Sequence, residues 1–432
     1  MQIVEISRFG IDTKSLRTYD GSSKLAPRLM AHDVGIIASD LTGAMDCAVA
    51  FASAPGSTTV LLAGEQPAES PVAVVVTDSA AVAPNVAYTL ARTAADRLSG
   101  RWLYKKIDST LRGNIGPELC AVLDTFGGAR AVVCPALPRE GRTVRGGVAL
   151  LKGVPVHLTS YGSHPVTPCR ESHIPTLLRQ AGVEAMLVSL DDVRRGPDHV
   201  RRLMGASRAR VIVVDAETEE DLLAIANAIP LDDSTWVACG SSGLAAACAT
   251  ARGVSSSRVL HTTGVPGSTL AAIGSRNPTT VSQVAALETE VSCSVVDIDA
   301  AALCTRGGRG EADAWIQAVA EIFETGRTAV LTTSLCPLVP QFGSQVANRL
   351  GELVLAVAQR QRVDAFVLSG GATALSVCRQ LGVETLVVKG ELERGVVVAA
   401  ALDGPHAGRL FITKAGGFGD NGTLARAFHT LR

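Results

Sequence analysis

The chain has 432 residues, 47% of them apolar and 19% charged, with a formal net charge of −1. That supplies apolar material for more than one buried core and excludes intrinsic disorder. The near-neutral balance, without a long block of Lys or Arg, argues against a nucleic-acid or membrane-surface role.

Residues 1–32 carry Arg8, Lys14, Arg17, Lys24 and Arg28 but no apolar segment, so an N-terminal arm is expected there rather than a signal peptide. Short β-branched runs then recur: VGIIASD (34–40), TTVLL (58–62), VAVVVTD (72–78), WLYKKID (102–108), AVVCPAL (131–137), AMLVSL (185–190), RVIVVDA (210–216) and TWVACGS (235–241). Helical stretches such as Val86–Leu98 lie between several of them. Continuous apolar strands alternating with helices predict a parallel sheet covered on both faces.

The pattern pauses at the Gly-, Ser- and Thr-rich segment 251–268 and restarts with LAAIGS (270–275), VSCSVVDI (291–298), TAVLTTS (328–334), AFVLSGG (365–371), TLVVKGE (385–391) and LFITKAGG (410–417). The expected fold is α/β: two tandem domains, 33–250 and 269–432, joined by that linker. Each would be a mostly parallel sheet with helices on both faces, and a cleft would lie between them. The apolar runs Val72–Val76 and Gly395–Leu402 are strand-sized and far too short to span a membrane. Ten cysteines occur without a CxxC pair or metal-ligand spacing, as expected of core residues in a reducing cytoplasm. The sequence names no metal ligands, and a homo-oligomer is possible.

In open α/β sheets, ligands sit at the carboxyl ends of strands, so polar residues there are the candidates. In the second half, Ser275 ends one strand, SGGATA (369–374) follows another, and KAGGFGDNG (414–422) a third. Glycines allow close backbone approach, and the free N–H groups of a helix start favour phosphate. A single strand–glycine–helix turn is commonly steric in origin, but three in one domain point to a nucleotide site. In the first half, Asp40 follows the first strand, where it could simply cap a helix.

The block KKIDSTLRGN (105–114) gathers Lys105, Lys106, Asp108 and Arg112 at a strand exit. Alternation puts Lys106 and Asp108 on one face and Lys105 on the other. A salt-bridged strand end is one explanation. The functional one is lysines for a carboxylate and Asp for hydroxyls. PREGRTVRGG (138–147) adds Arg139, Arg142 and Arg145, able to hold a carboxylate or a phosphoryl group. His164 and His173 are given no catalytic role. Anion-and-hydroxyl chemistry in front and phosphate-cradling loops behind suit a small-molecule kinase.

DLTGA (40–44), KKIDSTLRGN (105–114), PALPREGRTVRGG (135–147), GVPVHLT (153–159), SGGAT (369–373) and KAGGFG (414–419), in this order, resemble the four-carbon acid sugar kinases. The resemblance runs from about residue 33 to 420. It implies an N-terminal domain that binds a tetronate-type acid, a C-terminal domain that binds ATP, and transfer of phosphate to the terminal hydroxyl. By motif, Asp40, Lys105, Lys106 and Asp108 would contact substrate, with Arg112 and Arg142 beside them. Ser275, Gly370, Gly371, Ala372, Thr373 and Gly416 would contact ATP, which brings Mg²⁺. Asp40 or Asp108 would accept the hydroxyl proton. The sequence departs from the family pattern at Ser39, Ala80, His164–Pro165 and Ala372. Two other function classes are a non-catalytic sugar-acid or nucleotide sensor and a hydroxy-acid dehydrogenase. The second would need a GxGxxG after an early strand, where this chain has SDLTGA.

Overall fold

The computed structural model describes residues 33–431 apart from 53–55, 63–69, 165, 255–259, 261–266, 306–308, 337–341 and 344. The expected arm, most of the expected linker and Pro165 therefore lie outside the described residues.

In the first half the strands are β1 (Val34–Ala38), β2 (Thr58–Leu61), β3 (Val72–Val76), β4 (Trp102–Lys106), β5 (Arg130–Cys134), β6 (Arg142–Arg145), β7 (Val148–Leu151), β8 (Val154–Pro155), β9 (Ala185–Val188), β10 (Val211–Val214) and β11 (Trp236–Gly240). The second half supplies β12 (Thr269–Ile273), β13 (Cys293–Asp297), β14 (Thr328–Thr332), β15 (Ala365–Ser369), β16 (Thr385–Glu393), β17 (Val396–Ala401) and β18 (Leu410–Lys414). Every strand expected from the sequence forms. β1, β3, β4 and β11 are buried along their whole length, as continuous apolar runs between two helical layers require.

Front strands pair in the order β2-β3-β1-β4-β11-β5-β10-β9, all parallel, and back strands in the order β13-β14-β12-β15-β18, also parallel. The two sheets are not separate. The hairpin β16–β17 pairs antiparallel with β18 on one side and with β2 on the other, so a single fifteen-stranded sheet runs through both halves. Parallel strands of the two halves consequently run in opposite senses along the sheet. Strand twist of roughly 20–25° per step accumulates to more than 100° between β1 and β15. The segments that follow β1 and β15 come close together, since a Cβ on Gly371 would lie 3.2 Å from Asp40 Oδ1.

Strands β6, β7 and β8 form a small antiparallel sheet of their own, absent from the sequence expectation. The helix Leu41–Ala50 packs on β1, β2 and β3 and also on β16 and β17, so it belongs to the seam. All ten cysteines are free and eight are buried. Among the described residues no helix is long and apolar enough to cross a membrane.

Candidate active site

Strand order reverses at two places. After β1 the chain goes first to β2 and β3 on one side and then to β4 on the other; after β12 it goes to β13 and β14 and then to β15. Loops diverge at such switch points and leave a crevice at the strand ends. Asp40 and the Lys106–Asp108 stretch mark the first crevice, and Ser275 and Gly370 the second.

In the first crevice Asp40 is the N-cap of Leu41–Ala50. Its Oδ1 accepts from Gly43 N–H and from the Thr42 hydroxyl, each at 2.8 Å. Gly43 leaves room for its neighbours: a Cβ there would lie 2.6 Å from Lys106 Nζ and 3.0 Å from Asp40 Oδ2. The Lys106 ammonium thus crosses the first turn of the helix beside Asp40. Burial alone would lower its pKa, but the negative charges of Asp40, Asp108 and Asp46 outweigh burial and raise it.

Asp108 is fixed by three donors. Arg112 Nε approaches Oδ2 at 2.5 Å, the Thr110 hydroxyl the same oxygen at 2.9 Å, and Thr110 N–H reaches Oδ1 at 3.2 Å. Burial opposes ionisation here, but Arg112, Lys106 and Arg142 hold the carboxyl well below the usual carboxylate range. Arg142, on β6, is 6% exposed, gives Nη1 to Ser109 Oγ at 2.6 Å, and leaves its buried Nε without a hydrogen-bond partner. Tyr161 lies under both guanidinium groups, its ring centre 5.3 Å from Arg112 and 5.9 Å from Arg142.

Lys105 does not join this group. It is 0% exposed, and its ammonium bonds Glu118 Oε2 at 2.7 Å and the Lys106 carbonyl at 2.8 Å. Glu118 Oε1 takes the Ser79 hydroxyl at 2.7 Å, and Ser79 pairs with Thr77. Alternation along β4 predicts this separation, and the geometry assigns Lys105 to a buried ion pair rather than to the crevice. Of the three arginines in 138–147, Arg142 alone turns inward. Arg139 is exposed, and Arg145 pairs with Glu217 at the surface.

Three loops meet in the second crevice because β12, β15 and β18 are neighbours. Gly370, at φ +102°, is the N-cap of Gly371–Gln380 and makes no side-chain cap, so the first N–H groups of that helix stay open to a ligand. A Cβ on Gly370 would sit 3.1 Å from Ser275 N, a Cβ on Gly416 would collide with Ser275 Oγ, and one on Gly274 with Thr373 Oγ1. Ser275, Gly370, Thr373 and Gly416 are thereby brought together. Ala372 stands exposed on the first turn of the same helix.

The two crevices face each other. A Cβ on Gly371 would be 3.2 Å from Asp40 Oδ1 and 3.3 Å from Thr42 Oγ1; one on Gly417 would be 3.2 Å from Tyr161 OH and 3.5 Å from Arg142 Nη2. Phe418 stacks on the Arg142 guanidinium at 5.5 Å. Asp46, six residues and nearly two turns further along the helix from Asp40, lies within electrostatic reach of Lys106 and of Lys414 on β18. Its carboxyl is pushed up to about 7 by burial, with Asp40 and Glu391 adding and Lys106 and Arg139 opposing. Thr42 and Phe418 lie inside the blocks DLTGA and KAGGFG without being among the sequence candidates, and Tyr161 and Asn277 lie outside the quoted blocks.

Profiles of two domain families match the chain: a sugar-binding N-terminal domain over residues 34–248 and a nucleotide-binding C-terminal domain over residues 270–424. A D-threonate kinase of Bordetella bronchiseptica is 34% identical over 416 residues, covering 92% of this chain and 97% of the relative. The chain belongs to the four-carbon acid sugar kinase family. Two other members of this family differ in named substrate. A 3-oxo-tetronate kinase of Burkholderia multivorans is 31% identical (92% and 97% covered), and a D-erythronate kinase of Heliobacterium modesticaldum is 29% identical (90% and 94% covered). Among solved structures, a Salmonella typhimurium protein described as a putative tRNA synthase superposes with a TM-score of 0.75 at 25% identity, over 92% of this chain and 99% of its own. Asp40 and Asp108 lie within the range matched by the sugar-binding domain, and Ser275, Gly370 and Gly416 within that of the nucleotide-binding domain.

Proposed function

We propose that the chain is an ATP-dependent kinase that phosphorylates the terminal hydroxyl of a four-carbon sugar acid. The observation that carries this is the contact of Asp40 and Thr42 with Gly371, because it puts a carboxylate of the sugar side against the open helix N-terminus of the nucleotide side. Relatives named for threonate, erythronate and 3-oxo-tetronate define the substrate class.

Lys106, Arg112 and Arg142 supply positive charge for the acid's carboxylate, and Asp108, held ionised by Arg112, accepts from its hydroxyls. Asp40 is the base. Thr42 and Gly43 orient it through Oδ1, which leaves Oδ2 for the terminal hydroxyl's proton as that hydroxyl oxygen attacks the γ-phosphoryl group. The N–H groups of Gly371–Thr373, the Ser275 hydroxyl and the Gly416 loop hold the nucleotide's phosphates. Glycines fill the approach, and any Cβ there would occupy the cradle. Among the described residues no three His, Cys, Asp or Glu side chains converge, which suits a Mg²⁺ carried mainly by phosphate oxygens and water.

The test is ADP release across D-threonate, D-erythronate, 3-oxo-tetronate and related hydroxy acids. Turnover on one or more supports the kinase. ATP binding with no turnover on any would favour a sensor instead.

A further inference from the structure

The loop Ala415–Asp420 has its carbonyl groups engaged from behind. The Thr280 hydroxyl donates to Gly416 O at 2.7 Å. Gln283 Nε2 donates to Phe418 O at 3.2 Å and to Asp420 O at 2.6 Å. Lys414 Nζ reaches Ala415 O at 3.0 Å, Gly416 O at 3.4 Å and Thr280 Oγ1 at 3.4 Å. Thr280, Gln283 and Lys414 are all 0% exposed. An ammonium has three donors, and those of Lys414 are all engaged with the loop and with Thr280, so it has none left for a ligand.

The amides behave differently. Among the described residues the N–H groups of Gly416, Gly417 and Gly419 have no acceptor. On the cleft side the loop meets Ser275, Asn277, Tyr161 and Arg142, the last with its buried Nε unpartnered. A loop with three glycines has many conformations, and few of them aim successive amides at one point.

We propose that Thr280, Gln283 and Lys414 are positioning residues for nucleotide phosphate: by taking the carbonyls of 415, 416, 418 and 420 they fix the loop with its amides presented to the anion. The proposal rests on the nucleotide reading of the second crevice. The helix Pro278–Glu290 and Lys414 then act on the phosphate through the loop alone.

The experiment is calorimetric titration of the full chain with ATP, without acid, alongside hydrogen exchange of the 416–419 amides in the nucleotide-free protein. Thr280→Val keeps the volume and removes the donor; Gln283→Leu does the same at the second clamp. Each is expected to weaken ATP binding about tenfold, the equivalent of a hydrogen bond or two. Loop exchange should accelerate, while the acid's affinity stays within about twofold of wild type. Thr280→Ser, which restores the hydroxyl, should return both readouts to the wild-type range. Wild-type ATP affinity and exchange in Thr280→Val would overturn the clamp, as would Thr280→Ser behaving like Thr280→Val. Failure of the wild-type chain to bind ATP would overturn the nucleotide reading itself, and loop exchange would still report on the clamp.

Discussion

In the proposed kinase, two aspartates face the acid, and their surroundings would divide the work between them. Asp108 is bonded to Arg112 and Thr110 and held far into its ionised form, so it is a poor proton acceptor and a good hydroxyl acceptor. Asp108→Asn is therefore expected to raise KM for the acid about tenfold or more, the scale of a charged hydrogen bond, and to change kcat only a few-fold. Steady-state kinetics at saturating ATP reads that split. A third carboxyl, Asp46, sits near neutrality at about 7 against 3.8 for the free group. The folded state thus binds a proton that the unfolded chain has released between those values, so stability falls as pH rises from about 4 to 7 and stays lowered above. Asp46→Asn removes the penalty. It is expected to exceed the wild type in urea-unfolding stability at pH 8 by on the order of 1–3 kcal/mol, with the gain gone near pH 4.

At the scale of elements, β4 ends in neighbouring lysines with opposite destinations. Lys106 serves the cleft, while Lys105 closes a buried network that ties β4 to Glu118 on the helix Ile115–Thr125 and to Ser79 beyond β3. Breaking such a pair leaves a buried charge, so Lys105→Met is expected to cost about 3–5 kcal/mol. Lys105→Met combined with Glu118→Leu should cost less than Lys105→Met alone, by thermal or urea unfolding. The division was half legible in the sequence. A period of two separates residues 105 and 106, but nothing local says which face meets the cleft. Arg142 has the same difficulty: it shares a turn-rich block with Arg139 and Arg145, and only the hairpin of β6 and β7 turns it inward. That hairpin carried a signal, the glycine pair Gly146–Gly147 between short alternating strands. Thr280 and Gln283 carried none, because two uncharged polar residues on an amphipathic helix look like any solvated face.

For the whole molecule, repeated strand–helix units made two α/β halves readable, and polar residues at strand exits marked both crevices. What the sequence could not announce was their fusion. β2 and β16 lie more than three hundred residues apart, and their antiparallel pairing depends on two strand edges becoming neighbours in space. For the proposed kinase this matters, since a shared sheet would fix the distance between the acid and the nucleotide. An exposed ion pair between Asp78 and Arg379, 2.6 Å apart, also spans the halves but adds at most about 1 kcal/mol. In the proposed reaction Asp40 stands where the acid's hydroxyl meets the transferred phosphoryl group. Asparagine caps a helix as well as aspartate, so Asp40→Asn preserves the fold while removing the base. The most direct measurement is ³¹P NMR of wild type and Asp40→Asn incubated with ATP and the preferred four-carbon acid. The wild type should form a phosphomonoester on the terminal carbon in step with ADP, and the variant should do so at a rate lower by roughly 10²–10⁴ with ATP still bound. Undiminished phosphoester formation by Asp40→Asn, or ADP appearing without any phosphorylated acid in the wild type, would contradict the proposed reaction.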